Sequence, residues 1–423
     1  MMFFLFLLAA LVFVQANPFE ATSPGSLIVL NGTFVGNFVI DKPVTLVGGV
    51  FDGGGNGTVL KIVASGVRIK GVVVRNCGRS GLDSGIWIEN ARDVVIEDVT
   101  VEECLYPIMI YNSSNVKIVN SRIASFRSVP VARFEQGGVV VLHELTQYFR
   151  GHGVYVWYSW NVTVAKSYFT HTLDGVYCDH AYGLRVVDNV FFNGSRYGVH
   201  LMYCAGVVIA NNTVSQYVVG FIPMYSERVE IVGNQVFDVR AIGGAAVVVF
   251  ESNNVTVRNN IFARNYIAVD FYRSPFTPGS FVEVVDNVIA YNNIGVRLDP
   301  ISSPTIYGNY FVENVRDVLP LFNNKARLYN ATAKRGNFWG TSTSRYVAVQ
   351  RVFDQILSEH PQMEILALSP AYGLMEYVLG VAYPGGGVLE DKYPIPPPGT
   401  PHGLYLLYLA LASVLLAYVW RRS

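Results

Sequence analysis

Met202 and Met224 each stand fourth after a glycine that opens a short phrase, GVHLMYC and GFIPMYS, and His200 stands second after the glycine in the first of these. If the phrases are strands stacked on one another, the two thioethers hold the same position on neighbouring strands about 4.8 Å apart. The imidazole then lies two residues along the same face. Two thioethers and an imidazole are ligands that a soft Cu(I) ion prefers. Asp179 holds the matching position in the preceding phrase, GVYCDHA, and His180 follows it. His200, Met202, Met224, Asp179 and His180 therefore form a candidate metal strip. The bland reading of the methionines is adaptable packing against a protein partner. Tyr155, Trp157, Tyr177 and Ile222 surround the strip on what alternation makes a solvent-facing sheet, where a contiguous apolar patch marks a partner surface.

The elements that would position these residues repeat. Glycines at 153, 175, 198 and 220 begin GVYVWYS, GVYCDHA, GVHLMYC and GFIPMYS at steps of 22, 23 and 22. A fixed period in that range signals a solenoid. Within each phrase the first and third residues after glycine face inward by period-two alternation, which predicts one stack of Val154, Val176, Val199, Phe221, Val247, Val269 and Val296. Pro223, at an inward third position, must remove a ladder hydrogen bond. The small closing residues Ser159, Ala181, Cys204 and Ser226 suit a tight corner. A second strand follows each phrase, and Asn189, Asn212 and Asn234 recur in it as a stacked ladder would require. The reading is an all-β, right-handed parallel β-helix with coils of about 22–27 residues. Backward, the register runs through Pro130 and Pro107 to Gly85, and forward to Ala246, Ala268 and Gly295. PFTPGS at 275–280 should protrude, GGVVVLHELTQYFR at 137–150 breaks the pattern and should bulge, and the last coils end near GNFWG.

Residues 1–16 read as an apolar leader ending in Val-Gln-Ala, either cleaved near Asn17 or retained as an anchor, and both export the body. Residues 17–62 are expected to form an N-terminal capping coil, 63–345 the β-helix, and 346–402 a helical cap with Val349 on its apolar face, followed by an acidic, Pro-rich linker. Residues 403–420 make an apolar run at the lower length limit for a membrane span, with Tyr405, Tyr418 and Trp420 at interfacial positions and Arg421 and Arg422 beyond. Zero formal net charge and 15% charged residues exclude bulk-charge binding of nucleic acid. Sequons begin at Asn31, Asn56, Asn112, Asn161, Asn193, Asn211, Asn254 and Asn330, as glycan acceptors on an exported chain or as a by-product of asparagine-rich turns. VRIKGVVVRNC and VVIEDVTVEEC align position for position and set Cys77 and Cys104 on adjacent turns. They form either a disulfide or two small core thiols. Cys178 and Cys204 fall three strand positions out of register, about 10 Å, and are expected to stay unpaired.

VFDGGGNGTVLKI, DSGIWIENARDVVIED, GHGVYVWYS, LDGVYCDHA, RYGVHLMYC, VVGFIPMYS, GNFWG and LSPA occur in that order between residues 45 and 385. On these segments the chain resembles the NosD family, exported β-helix proteins that accompany nitrous oxide reductase. The resemblance implies an extracytoplasmic role in assembling that enzyme's copper centres during denitrification, beside a NosF-like ATPase and a NosY-like permease of the ABC type. It places the protein in the periplasm or on the outer cell surface, and the C-terminal run implies a membrane anchor. No catalytic residues are expected. Two rivals are a carbohydrate-binding or polysaccharide-cleaving β-helix and an inert surface solenoid. For the first, Arg68-Ile69-Lys70 and Gly151-His152-Gly153 resemble polygalacturonase fragments, but in the reverse order and without an Asp-Asp pair anywhere in the chain. Asp179, Asp270 and Asp299 remain as carboxylates with no acid and base roles evident.

Overall fold

The computed structural model describes residues 17–136, 139–144, 149–321, 324–340, 346–349 and 388–396. Most strands are three to six residues long, and many of the three-residue ones bury their middle residue alone, as in Thr163–Ala165 and Arg185–Val187. Such a segment is too short to stand by itself and is stable only when it pairs with its counterparts one coil up and one coil down. The result is a parallel β-helix of three sheets. The first runs from Leu27–Val29 to Thr305–Tyr307 with 12 strands, the second from Thr33–Val35 to Phe338–Trp339 with 13, and the third from Phe38–Ile40 to Arg316–Pro320 with 12. The last strand of the second sheet falls within GNFWG, where the sequence period ends.

Every member of the predicted inward stack pairs with the next in register, from Val154 to Val296, and all are fully buried. Pro223 interrupts the ladder as expected: the strand Val219–Met224 meets its successor at Val219, Phe221 and Met224 and skips the two residues between. The asparagine ladder is longer than the three predicted members. It runs through Asn189, Asn212, Asn234, Asn260, Asn287, Asn309 and Asn337, and each of the first six passes an amide N–H to the Oδ1 of the next at 2.9–3.0 Å. Each Nδ2 also donates to a strand carbonyl, so these buried amides are satisfied. Ser226, Ser252, Ser274 and Ser302 form a parallel column at the corner. The sequon residues Asn112, Asn161, Asn193, Asn211 and Asn254 all sit at corners with positive φ, a conformation asparagine tolerates.

Several expectations are corrected. Pro130 does not open a coil: Tyr106–Tyr111 pairs directly with Val154–Trp157. The intervening chain leaves the cylinder as an antiparallel hairpin, Val131–Gln136 with Val139–Glu144. The disulfide is Cys178–Cys204, with Cα atoms 6.6 Å apart, while Cys77 and Cys104 are free and buried. Cys178 is in register with Leu201, but the strand ends at Met202 and Tyr203 turns the chain inward at φ 54°, so the corner shortens the distance that a straight strand would impose. Cys104 Sγ accepts the Cys77 N–H at 3.3 Å, and Cys77 Sγ accepts the Leu105 N–H at 3.2 Å. Burial, with Cys77 beside it, pushes the Cys104 thiol well above its ordinary range.

At the N-terminal end Phe19 closes the core by stacking on Phe51 at 6.0 Å and meeting Phe38 edge-on at 6.3 Å. At the other end Tyr346–Val349 is a strand paired with Val388–Asp391, so Val349 is not helical and the start of the acidic linker is built into the fold. Asp391 is fully buried and ends the asparagine ladder, accepting the Asn337 N–H at 2.7 Å and the Trp339 indole N–H at 2.9 Å. The leader, the rest of the helical cap and the 403–420 run lie outside the described residues. Among the described residues no helix is long and apolar enough to cross a membrane.

Candidate functional site

The outer face of the third sheet carries Asp179, His200, Met202 and Met224 of the candidate strip, and it is built from three columns. One holds the second residue after each glycine, where Tyr155, Tyr177, His200 and Ile222 follow in register. The next holds the fourth, where Trp157, Asp179, Met202 and Met224 do so. The third column holds the residue before each glycine. Simple alternation would turn that residue inward, but the pairing jumps the glycine: Asp174 meets Tyr197, and the next pair is Val176 with Val199. A Cβ on Gly175 would lie 2.6 Å from the Gly198 carbonyl oxygen, so glycine suits the kink here, although the same sheet makes the same jump at Pro107, Ala246 and Ala268. The kink reverses the phase and places His152, Asp174 and Tyr197 beside the second-residue column.

Asp174 is the centre of that arrangement and is fully buried. Arg196 grips its carboxylate from two nitrogens at 2.8 and 2.6 Å, and the Tyr197 N–H donates to it at 3.2 Å. His200 Nδ1 lies 3.0 Å and His152 Nδ1 3.2 Å from the same oxygen, Oδ2. Burial alone would raise the Asp174 carboxyl, but these partners outweigh it and hold the group well below the ordinary carboxylate range. For His200 burial wins over the attraction of Asp174 and lowers its pKa, so the ring is neutral. Because the carboxylate only accepts, the single ring proton sits on Nδ1. His200 Nε2 is left buried and without a hydrogen-bond partner. Tyr177 lies between the two imidazoles, with ring centroids 4.4 Å from His152 and 4.7 Å from His200. Burial pushes its phenol up to about 12, so it stays protonated.

The structure brings together some of the predicted residues and separates others. Met202 and Met224 are adjacent in register and half-buried, with Asp179 in register with Met202 on the preceding coil. His200 is buried with 7% exposure where alternation predicted an open face, and Ile222 is buried with 6%. Ile222 belongs to an apolar cluster on this outer face with Val219, Ala245, Val248 and Ile267. Tyr155, Trp157 and Tyr177 are half-buried. His180 stands on the corner, held by Asp179 at 2.5 Å and stacked between Tyr158 and Tyr203. Among the described residues no three His, Cys, Asp or Glu side chains converge on a metal position. The donors this face would offer a metal are the thioether sulfurs and the orphaned His200 Nε2, a set of the kind that monovalent copper prefers. Sequence reasoning missed His152, Asp174 and Arg196. GHG and LDG carry His152 and Asp174 immediately before the glycine and SRYG carries Arg196 two residues before it, and the recurring polar residues there were the available signal.

A second buried charge pair lies on the same face, where Arg297 grips Asp270 at 2.8 and 2.6 Å and also contacts the Tyr272 hydroxyl. Both oxygens of the Asp270 carboxylate are engaged by Arg297.

Three comparisons bear on identity. A curated protein of Pseudomonas aeruginosa described as a probable ABC transporter binding protein NosD is 27% identical over 168 residues, covering 38% of this chain and 36% of that protein. The chain thus matches about a third of that relative's length. Among solved structures, the A-module of the mannuronan C-5 epimerase AlgE6 from Azotobacter vinelandii superposes with a TM-score of 0.50 at 12% identity, over 74% of this chain and 92% of that one. The surface adhesin PfbA of Streptococcus pneumoniae gives 0.49 at 13%, over 70% and 86%. The epimerase likeness is one of fold, consistent with a match of residues 32–147 to the right-handed β-helix region model. Residues 132–344, half of the chain and all of the site just described, match the family described as periplasmic copper-binding protein (NosD), and the chain belongs to that family.

Proposed function

We propose that this protein is a non-catalytic, extracytoplasmic copper carrier that serves assembly of the copper centres of nitrous oxide reductase, beside an ABC-type ATPase and permease. The family's description as periplasmic and copper-binding and the relative's description as an ABC transporter binding protein support this reading. The 403–420 run supports an anchored form, with the β-helix held at the outer face of the membrane. One observation in the chain itself carries it. His200 is neutral, fixed by Asp174 through Nδ1, and presents a buried, unpartnered Nε2 on the strand that also carries Met202, next to Met224. A histidine that ligates a metal commonly donates its other ring N–H to a carboxylate in this way. Copper is here the cargo, and thioethers release it readily to a stronger acceptor. The test is reductase copper content in cells expressing Met202→Leu/Met224→Leu in place of the native chain. The reading expects copper-poor reductase at normal levels of the variant, and fully loaded reductase would refute it.

A further inference from the structure

The second sheet differs from the other two in charge. Its first five strands carry Asp52, Arg75, Glu102 and Arg122. The eight that follow, from Tyr168–Thr170 to Phe338–Trp339, contain no charged residue. In the same coils the first sheet carries Arg185, Glu230, Arg258 and Glu283, and the third carries Asp174, Asp179, Asp270 and Arg297. Toward the C-terminal end the uncharged face becomes apolar. Ala263, Ala290, Val312 and Phe338 form a cluster there, with Ile261, Val288 and Tyr310 packed against it half-buried. A contiguous apolar strip on the outside of a sheet marks a surface that something covers.

The chain itself begins that cover. Val388–Asp391 pairs with Tyr346–Val349, which lies beside the last strand of the third sheet. From there the chain crosses the end of the cylinder to the second sheet. The buried Asp391 carboxylate accepts the Asn337 and Trp339 N–H groups, the Gly336 N–H donates to the Tyr393 carbonyl at 2.8 Å, and the Ile395 N–H donates to the Asn337 carbonyl at 2.8 Å. Gly336 permits the approach, because a Cβ there would lie 2.0 Å from Asp391 Oδ1. Ile395 is thereby seated on the apolar cluster at its Phe338 end.

Residues 396–402 read PPPGTPH and, like the whole stretch from Tyr393 to Trp420, contain no Asp, Glu, Lys or Arg. Proline favours the extended polyproline II form, at about 3.1 Å per residue. Ile261 lies three coils from Phe338, about 14 Å at the strand spacing of a sheet. Five residues beyond Ile395 span about 16 Å, which brings Thr400 level with Ile261. Proline-rich segments dock on surfaces lined by aromatic rings, and Phe338 and Tyr310 stand at the start of this path with ring centroids 5.5 Å apart. We infer that residues 396–402 lie along the outer face of the second sheet, over Tyr310, Val288 and Ile261, continuing the contact that Ile395 makes. With the 403–420 run anchored as proposed above, that run leaves from the flank of the cylinder and the second sheet faces the membrane. This consequence rests on the anchored reading, whereas the seat does not.

Disulfide trapping in the full-length chain, held in detergent, tests the seat. Under oxidised glutathione, Ile261→Cys/Thr400→Cys should link within one chain at least about tenfold faster than Glu283→Cys/Thr400→Cys, since Glu283 stands on the first sheet. Alkylation of Ile261→Cys alone should speed up when Pro396→Gly/Pro397→Gly/Pro398→Gly is added, at an unchanged melting temperature. Equal linking of the two pairs, or none in either, would overturn the inference. So would links between chains in place of the internal one, which would assign the face to a second copy. Protection of Ile261→Cys that appears only in phospholipid bilayers would overturn it as well, by assigning the face to lipid. Failure of the anchored reading alters none of the readouts taken in detergent.

Discussion

His200 and Asp174 tie the candidate site to the stability of the protein in a way that pH reveals. Burial lowers the His200 pKa in the folded state, whereas an unfolded histidine titrates near ~6.5. As pH falls below that value the unfolded chain takes up a proton that the folded chain resists, so stability is lost. The slope is up to about 1.4 kcal/mol per pH unit until His200 itself protonates. Asp174 acts further down the scale. Its depressed folded pKa contributes stability above the ordinary carboxylate value of ~3.9, and that is lost only as pH falls through the folded value. Denaturant melts from pH 8 to pH 5 should show the wild type losing stability below pH ~6.5 and His200→Gln losing less. Parallel curves would place His200 outside that environment. At this scale the methionines, His200 and Asp179 were legible because they follow simple alternation from each glycine. His152, Asp174 and Arg196 were not, because the close approach at Gly175 reverses the phase of the strand just where they stand. The GHG that contains His152 was visible but pointed to a different chemistry.

Among the elements, short strands with one inward residue and the asparagine ladder were readable, since each recurs at the coil period. The hairpin at 131–144 was legible in part: the broken pattern of 137–150 marked a bulge from the cylinder, but Pro130 happens to fall on the coil period, so the strand Val131–Gln136 was placed inside it. Cysteine pairing failed for a related reason: register is a statement about straight strands, and Cys204 lies beyond the corner at Tyr203. Proteolysis and mass spectrometry of unreduced protein, alkylated under denaturing conditions, should therefore return a linked peptide pair containing Cys178 and Cys204, with Cys77 and Cys104 both alkylated. A Cys77–Cys104 linkage would contradict the corner geometry. Replacing Cys178 and Cys204 together by alanine should cost about 2–4 kcal/mol of stability, the usual range for a bridge closing a loop of this size.

For the whole molecule, a solenoid divides its labour between an interior that only holds coils in register and an exterior free to vary. The interior is monotonous: the valine stack, the asparagine ladder and the corner serines repeat from coil to coil with little change. The outer face of the third sheet is where the coils differ. A buried Asp174 with an arginine and two histidines, a methionine pair, an apolar cluster and an aromatic corner follow one another there along one side. That concentration of difference on a uniform scaffold supports the proposed working surface, and fold likeness to an epimerase says nothing about what it does. The central claim is that the surface holds Cu(I) through Met202, Met224 and His200. A competition titration against a Cu(I) chelator of known affinity tests it most directly, comparing the wild type with Met202→Leu/Met224→Leu and His200→Gln. Both variants should bind at least about tenfold more weakly than the wild type, a loss of roughly 1.4 kcal/mol or more, at unchanged melting temperature. Equal affinities for all three proteins would contradict the account.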